Sequence, residues 1–439
     1  MTQETLRVPT WIHRIAMPLF LVAICPPAVF IFWYTATHLD GSFIDLWKLM
    51  QIQGIGKTFF DIWIPVAFGS AKAWKIIGIF AAFQLLLMRV VPGKPFLGPI
   101  TPMGNVPLYK ANGLACFGIT MGTFWLASHH WNLFPATILY DELGPILGAL
   151  NTFSLIFCLF LYAKGILRPS STDASSSGNP LFDYYWGTEL YPRVWGWDIK
   201  QFTNCRFGMM SWGLLLLSYA AKQKALYGFV SDAMAVSVAL QLLYVAKFFL
   251  WETGYLRSLD IMHDRAGFYI CWGCLVWVPS IYTSPGLYLV HHPIQLGTPL
   301  AAAIFFAGVA SIAANYLADR QRQVVRALQG NCRVWGRTPI LIRAPYKTET
   351  GEPKETLLLA SGWWGLSRHF HYLPEIGAAF FWSLPALFFN FLPYFYVSFL
   401  TILLVDRAFR HDKRCEDKYG PAWAEYCRRV PYKLVPFLY

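Results

Sequence analysis

The chain has 439 residues, of which 56% are hydrophobic and only 14% charged, where soluble domains carry about a quarter charged residues. That balance excludes water as the main solvent and points to an all-α polytopic membrane protein. The formal charge of +12 gathers in connecting segments and a tail rather than along a soluble face, so it excludes nucleic acid as partner and marks the cytoplasmic side of a bilayer.

Apolar runs predict spans over residues 12–37, 74–91, 113–131, 145–165, 207–221, 233–251, 268–290 and 299–317. The first is long and lacks a small-residue cleavage pattern, so it is expected to stay as a span. A short segment near residues 59–68 is a further candidate. Residues 376–405 form an apolar run too long for one span, interrupted by Pro385 and Pro393 with Asn390 between them, which fits two tilted or broken helices. The total expected is about eight to ten helices. The Ser-rich stretch 170–180 reads as a loop. It divides N-terminal transmembrane helices, residues 1–169, from a C-terminal half, residues 181–439, where charges appear within or beside spans and function is expected. The nine cysteines lack paired spacing, and Cys271 and Cys274 fall inside an apolar run, so reduced, buried thiols are expected and no metal.

A charge at membrane depth needs a partner, a wet cavity or a function. The segment KFFLWETGYLRSLDIMHDRAGFY supplies Lys247, Glu252, Arg257, Asp260, His263, Asp264 and Arg265 between two spans. Asp260 lies three and four positions before His263 and Asp264, a spacing open both to a helix-capping charge cluster and to an acid–base relay. DYYWGTELYPRVWGWDIK reads equally as a pocket mouth or as an interfacial aromatic belt. Arg322 and Arg326, four apart, share one helical face and suit a phosphate, though lipid headgroups meet such pairs too. No GxGxxG or GxxxxGK[ST] motif occurs, which argues against a Rossmann or P-loop domain. GWWGLSRHFHYLPE gathers aromatics, an arginine and two histidines, and the tail from residue 409 keeps Tyr419, Trp423, Tyr426 and Tyr432 at spacings that pack a short helix and a returning chain.

GWWGLSRHFHY, GNCRVWGR, the WETGYL…VHHP stretch, GNPLFDYYWGTELYPR and the tail RCEDKYGPAWAEYCRRVPYKLVP together resemble the sterol reductase family, over nearly the whole chain from Trp11. WETGYL, AAKQKALYG and SGWWGLSRHFHY resemble its Δ7 branch more than its Δ14 branch. The resemblance implies an NADPH site on the cytoplasmic face, with Arg322 and Arg326 near the adenosine phosphates, Leu359 and Trp364 as apolar wall, and His371 and Tyr372 as a polar pair. From the tail it implies His411 or Asp412, then Cys415, Glu416, Asp417, Lys418, Tyr419 and Tyr426. His371 stands where many relatives carry Asn.

The implied substrate is a 5,7-diene sterol, held in membrane lipid. An isolated alkene is a poor hydride acceptor, so protonation must precede hydride transfer; a proton at C8 leaves an allylic cation over C7 and C5, and hydride then lands on C7. Asp260, His263 and Asp264 are the expected proton path, with Glu252 and Tyr288 in support. Δ14 or Δ24 reduction and a non-catalytic sterol-binding role are the alternatives. A membrane methyltransferase is disfavoured because Arg368-His369-Phe370-His371-Tyr372 lacks the proline of the RHPxY element. The endoplasmic reticulum is expected in a eukaryote and the inner membrane in a bacterium.

Overall fold

The computed structural model describes residues 11–347 and 352–438. Among the described residues six helices are long and apolar enough to cross a membrane: Ile12–His38, Ala71–Val90, Leu143–Leu167, Asp232–Leu250, Thr298–Ala327 and Leu392–Tyr419. The other expected spans are helical but divided. Gly113–Trp125 runs into a π-helical turn, Leu126–His130; Gln201–Gly208 is π-wound before Met209–Tyr227; and Phe268–Tyr282 is π-wound before Ser284–Leu289. The short candidate near residue 59 is a helix of nine residues, Ile55–Trp63. The apolar run after residue 376 breaks where its prolines predict, between Tyr372–Ser383 and Phe395–Tyr419. The Asn390 carboxamide accepts from the Leu392 N–H and Tyr394 donates to the Leu387 carbonyl, so the broken backbone keeps its partners.

Two compact units share the chain. One comprises the described residues to Val230 together with Phe248–His292. Inside it the Asn151 side chain donates to the Pro26 carbonyl and accepts from the Trp272 indole at 2.7 Å, tying three helices with one amide. Gly187, at φ 97°, lies against the backbone of Ala266 and Gly267, an approach that a side chain would block. The stretch 170–180 is a loop pinned by Glu189, which accepts from the Ser170 N–H at 2.5 Å, and by Asp183, which accepts from Ser176 and from the Ser177 N–H. Cys271 and Cys274 are buried free thiols within Phe268–Tyr282.

The most polar point of this unit is a fully buried ion pair. Arg206, with no exposed surface, donates to Glu252 at 2.6 Å and to Asn112 at 2.8 Å. Glu252 also accepts from the Gly113 N–H at 2.7 Å and from Gln201 at 3.1 Å. The carboxylate thus fastens the start of Gly113–Trp125 to the π-wound Gln201–Gly208, which assigns it a structural task. Glu252 is accordingly not a free acid.

The other unit comprises Ser231–Lys247 and the chain from Pro293 onward. Asp232 starts its helix by accepting from the N–H groups of Leu296 and Gly297, both at 2.8 Å. After Thr298–Ala327 the chain forms an antiparallel hairpin, Leu341–Lys347 against Pro353–Leu359, with Leu341 opposite Leu359. Its inward residues Ile342, Ala344 and Leu358 pack with Cys415, Trp423, Tyr426 and Val430 of the tail.

Glu252→Gln is expected to strand the Arg206 charge and to cost roughly 3 kcal/mol of stability. Adding Arg206→Met is expected to recover most of that loss. Thermal unfolding of detergent-solubilised protein, followed by tryptophan emission, compares the three.

Candidate functional site

The second unit holds a chain of polar groups on helices that are otherwise apolar. On Asp232–Leu250 the Tyr244 hydroxyl donates to Glu375, and the Lys247 ammonium donates to the Asn315 carbonyl oxygen. The Asn315 amide in turn donates to the His371 carbonyl at 2.9 Å. One turn further along Thr298–Ala327, buried Asp319 accepts from Arg322 at 3.4 Å. A buried group is sustained only by such partners, so these residues fix the three helices in one register.

Arg322 leads out of this network. Its guanidinium lies 4.0 Å from the centre of the Trp364 ring, and the Trp364 indole donates to the Ala318 carbonyl at 2.8 Å. The Trp364 ring meets His371 at 4.9 Å, and Tyr372 stacks on His369 at 5.4 Å. Burial, helped by the charge of Arg322, holds the His371 imidazole well below its ordinary range, so it is neutral at pH 7. Its Nδ1 is buried without a hydrogen-bond partner. A neutral, buried imidazole nitrogen near the charge of Arg322 is a polar contact available to a ligand.

Arg326 stands one turn beyond Arg322 and donates to the Leu357 carbonyl at 3.2 Å. Leu359 and Trp364 are buried with Val325 and Val334, and Tyr426 donates to the Trp364 carbonyl at 3.1 Å. Lys418 lies over the Tyr346 ring at 3.9 Å and the Tyr419 ring at 5.3 Å. Arg322, Arg326, Leu359, Trp364, His371, Tyr372, Cys415, Tyr419 and Tyr426 therefore belong to one neighbourhood.

His411 and Asp412 differ in task. His411 presents its ring edge to His369 at 5.1 Å and its Nδ1 to Cys415 at 3.6 Å. Asp412 instead gathers His369 at 3.0 Å, Arg368 at 3.2 Å and Lys433 at 3.5 Å. The returning tail completes the tie: the Arg368 and His369 N–H groups donate to the Tyr432 and Lys433 carbonyls, both at 2.9 Å, and the Ser367 hydroxyl to Leu434 at 2.7 Å. His369, His411 and Asp412 bring three ligand atoms within 4.8 Å of one another, but two cations already occupy the carboxylate, which disfavours a divalent metal there. Glu416 and Asp417 are exposed and pair with Lys413 at 3.3 and 3.0 Å. The helix Phe395–Tyr419 continues unbroken past them, so residues 411, 415 and 419 share its inner face while 413, 416 and 417 face outward.

In the first unit the acids lie on a short turn between two helices. The helix there is a single turn, Leu259–Met262, and His263 pairs with Asp264 at 2.9 Å, the histidine half exposed and the carboxylate buried. Lys200, fully buried, donates to the carbonyls of Ile261 and Asp264 at 2.8 and 2.6 Å and so braces this turn. Tyr288 stacks on His292 at 3.9 Å at the far end of the helical run that starts at Phe268, a whole helix away from Asp264. It cannot share their proton path. Sequence reasoning missed Tyr244, Asn315, Asp319 and Glu375, although each is a polar residue set in an apolar run and was open to the same argument applied to Asp260.

Comparison with known proteins identifies the family. The ergosterol biosynthesis ERG4/ERG24 family matches residues 17–439. A 7-dehydrocholesterol reductase of Arabidopsis thaliana is 53% identical over 437 residues, covering 99% of this chain and all of the relative. A 7-dehydrocholesterol reductase of Danio rerio is 36% identical, covering 89% of this chain and 84% of the relative. A Delta(14)-sterol reductase of Methylotuvimicrobium alcaliphilum is also 36% identical, covering 96% of this chain and 94% of the relative. The chain belongs to the ERG4/ERG24 family of sterol reductases and is an integral membrane protein.

Asp412→Ala is expected to release the tail from residues 367–369 at a cost of roughly 3 kcal/mol, because Arg368 and Lys433 lose their shared partner. Limited trypsin digestion in detergent reads this as faster cleavage after Arg428 or Arg429, with the membrane-embedded part still intact.

Proposed function

We propose that this chain reduces the C7=C8 double bond of a 5,7-diene sterol with NADPH. The observation that carries the reading is the buried, unpaired His371 Nδ1 beside Arg322, walled by Trp364 and Leu359 and within the same unit as Arg326. A dinucleotide needs that combination of cations for phosphates, an apolar plate for a ring and one fixed polar contact. When bound, NADPH supplies the hydride from its nicotinamide. The 53% identity to a plant 7-dehydrocholesterol reductase along nearly the whole chain supports the Δ7 position.

The chain's own residues have four tasks. Arg322 and Arg326 hold phosphate charge, Trp364 and Leu359 exclude water, and neutral His371 fixes an orientation without adding a competing positive charge. The fourth is to deliver a proton to C8, and two groups suit it. Tyr244, hydrogen-bonded to Glu375, sits in the same unit as the cofactor residues and is linked by Lys247 and Asn315 to His371. The His263–Asp264 pair, with Asp260 on the same turn, joins a half-exposed imidazole to a buried carboxylate, an arrangement that carries protons inward from water. A Δ14 reductase is the second reading, favoured by the bacterial relative of nearly equal coverage. In a eukaryotic host we place the protein in the endoplasmic reticulum membrane, and in a bacterial one in the inner membrane.

Purified protein given NADPH is expected to convert 7-dehydrocholesterol to cholesterol and to leave a Δ8,14 sterol and zymosterol untouched, read by mass spectrometry and loss of diene absorbance. Turnover of the Δ8,14 sterol alone would overturn the Δ7 assignment. Arg322→Ala and Arg326→Ala are each expected to raise the KM for NADPH by roughly 30-fold, the loss of one charge-assisted contact, with a smaller change in kcat. Tyr244→Phe and Asp264→Asn separate the proton routes: the true donor's variant loses kcat with an unchanged KM for NADPH, while the other retains most of its activity.

A further inference from the structure

The tetrapeptide Arg-Val-Trp-Gly occurs twice, at residues 193–196 and 333–336, once in each unit. Both copies fold the same way. Arg193–Val194 pairs with Trp197–Asp198 across a two-residue turn, and Val334 exchanges hydrogen bonds with Arg337 at 2.8 and 3.1 Å across another. The two central residues of each turn are the tryptophan and the glycine, all at positive φ: 50° and 86° in the first, 49° and 76° in the second.

A two-residue turn of this hand asks for Asn, Asp or Gly at its first central position, and a large side chain there is strained. Strain of that kind persists only where something compensates it. Packing within the chain does not. Trp195 is 89% exposed and Trp335 is 58% exposed, the latter meeting Trp363 edge to face at 5.2 Å. Val334, beside the second indole, is instead buried against Trp364 and Leu359. Each turn thus holds an indole outward on a short, rigid support. Exposed Arg333 and Arg337 flank the second indole, and Arg89, exposed at the end of its span, lies over Trp197 beside the first.

An indole favours the boundary between headgroups and acyl chains, where its ring is in an apolar layer and its N–H is wet, and arginines next to it meet phosphates. We infer that the two Arg-Val-Trp-Gly turns are matched anchors that seat Trp195 and Trp335 in the lipid–water interface of the membrane the chain spans. The occupant of these indole faces is phospholipid, and the strained turn is the device that aims each ring at it.

The test uses the full chain labelled with 5-fluorotryptophan in phosphatidylcholine nanodiscs. Trp195→Asn and Trp335→Asn identify the two resonances by their disappearance; Asn suits the turn, and Trp→Phe variants repeat the identification if an Asn variant elutes abnormally. The expected result is that lipid spin-labelled at carbon 5 attenuates both resonances severalfold more than a water-soluble gadolinium chelate does. Attenuation by the chelate alone would overturn the inference by showing both rings in water. Protection from both agents would overturn it too, and would assign the rings to a second copy of the chain.

Discussion

A polar group below the surface of a bilayer has no water to fall back on, so the chain must bring each one its partner. That constraint organises both units. In the first, Glu252 has three hydrogen-bond donors converging on its two oxygens and Arg206 has no surface at all. In the second, Tyr244, Lys247, Asn315 and Glu375 satisfy one another across three helices. The Nδ1 of His371 is one of several buried side-chain atoms among the described residues without a partner, and it lies in the neighbourhood of Arg322 and Trp364, where a bound molecule would complete it.

The site is assembled from parts of different stiffness. Arg322 is held between a carboxylate on its own helix and the Trp364 face, so its position follows that of Thr298–Ala327. Arg326 and Leu359 depend on the hairpin, and Tyr426 on the tail. Asp412 ties the tail to residues 368 and 369 by drawing Arg368, His369 and Lys433 to one carboxylate. The residues that would touch a cofactor are therefore braced by residues that would not, as a preorganised site requires.

Much of the fold was legible because lipid imposes a simple rule on sequence. Runs of apolar residues became helices such as Leu143–Leu167, and Pro385 and Pro393 broke the long run at the positions where they remove helix hydrogen bonds. The hairpin Leu341–Lys347 with Pro353–Leu359 was not foreseen, since its pairing partner is the fold and its apolar face is covered by a tail many residues away. The interleaving of the two units is equally invisible to local pattern. At the site, Arg322, Trp364 and His371 came from motif likeness, and the helix period separates Cys415 and Tyr419 from outward Glu416 and Asp417, a distinction available from spacing but not drawn. Tyr288 was grouped with Asp264 by chemistry alone, which ignores the length of helix between them. Tyr244 and Glu375 sat in plain view as polar residues in apolar runs that each need a partner, and were passed over because no spacing motif names that partner.

The Glu252 knot also sets a schedule for the ribosome. The Gly113 N–H waits for a carboxylate 139 positions later, and the guanidinium of Arg206 waits for one 46 positions later. Until that stretch emerges from the tunnel, the early helices must sit in the translocon or beside a chaperone with a bare cation on their flank. A contact buried in the finished protein is thus open during biogenesis, and the packing of the first half is incomplete until Glu252 arrives.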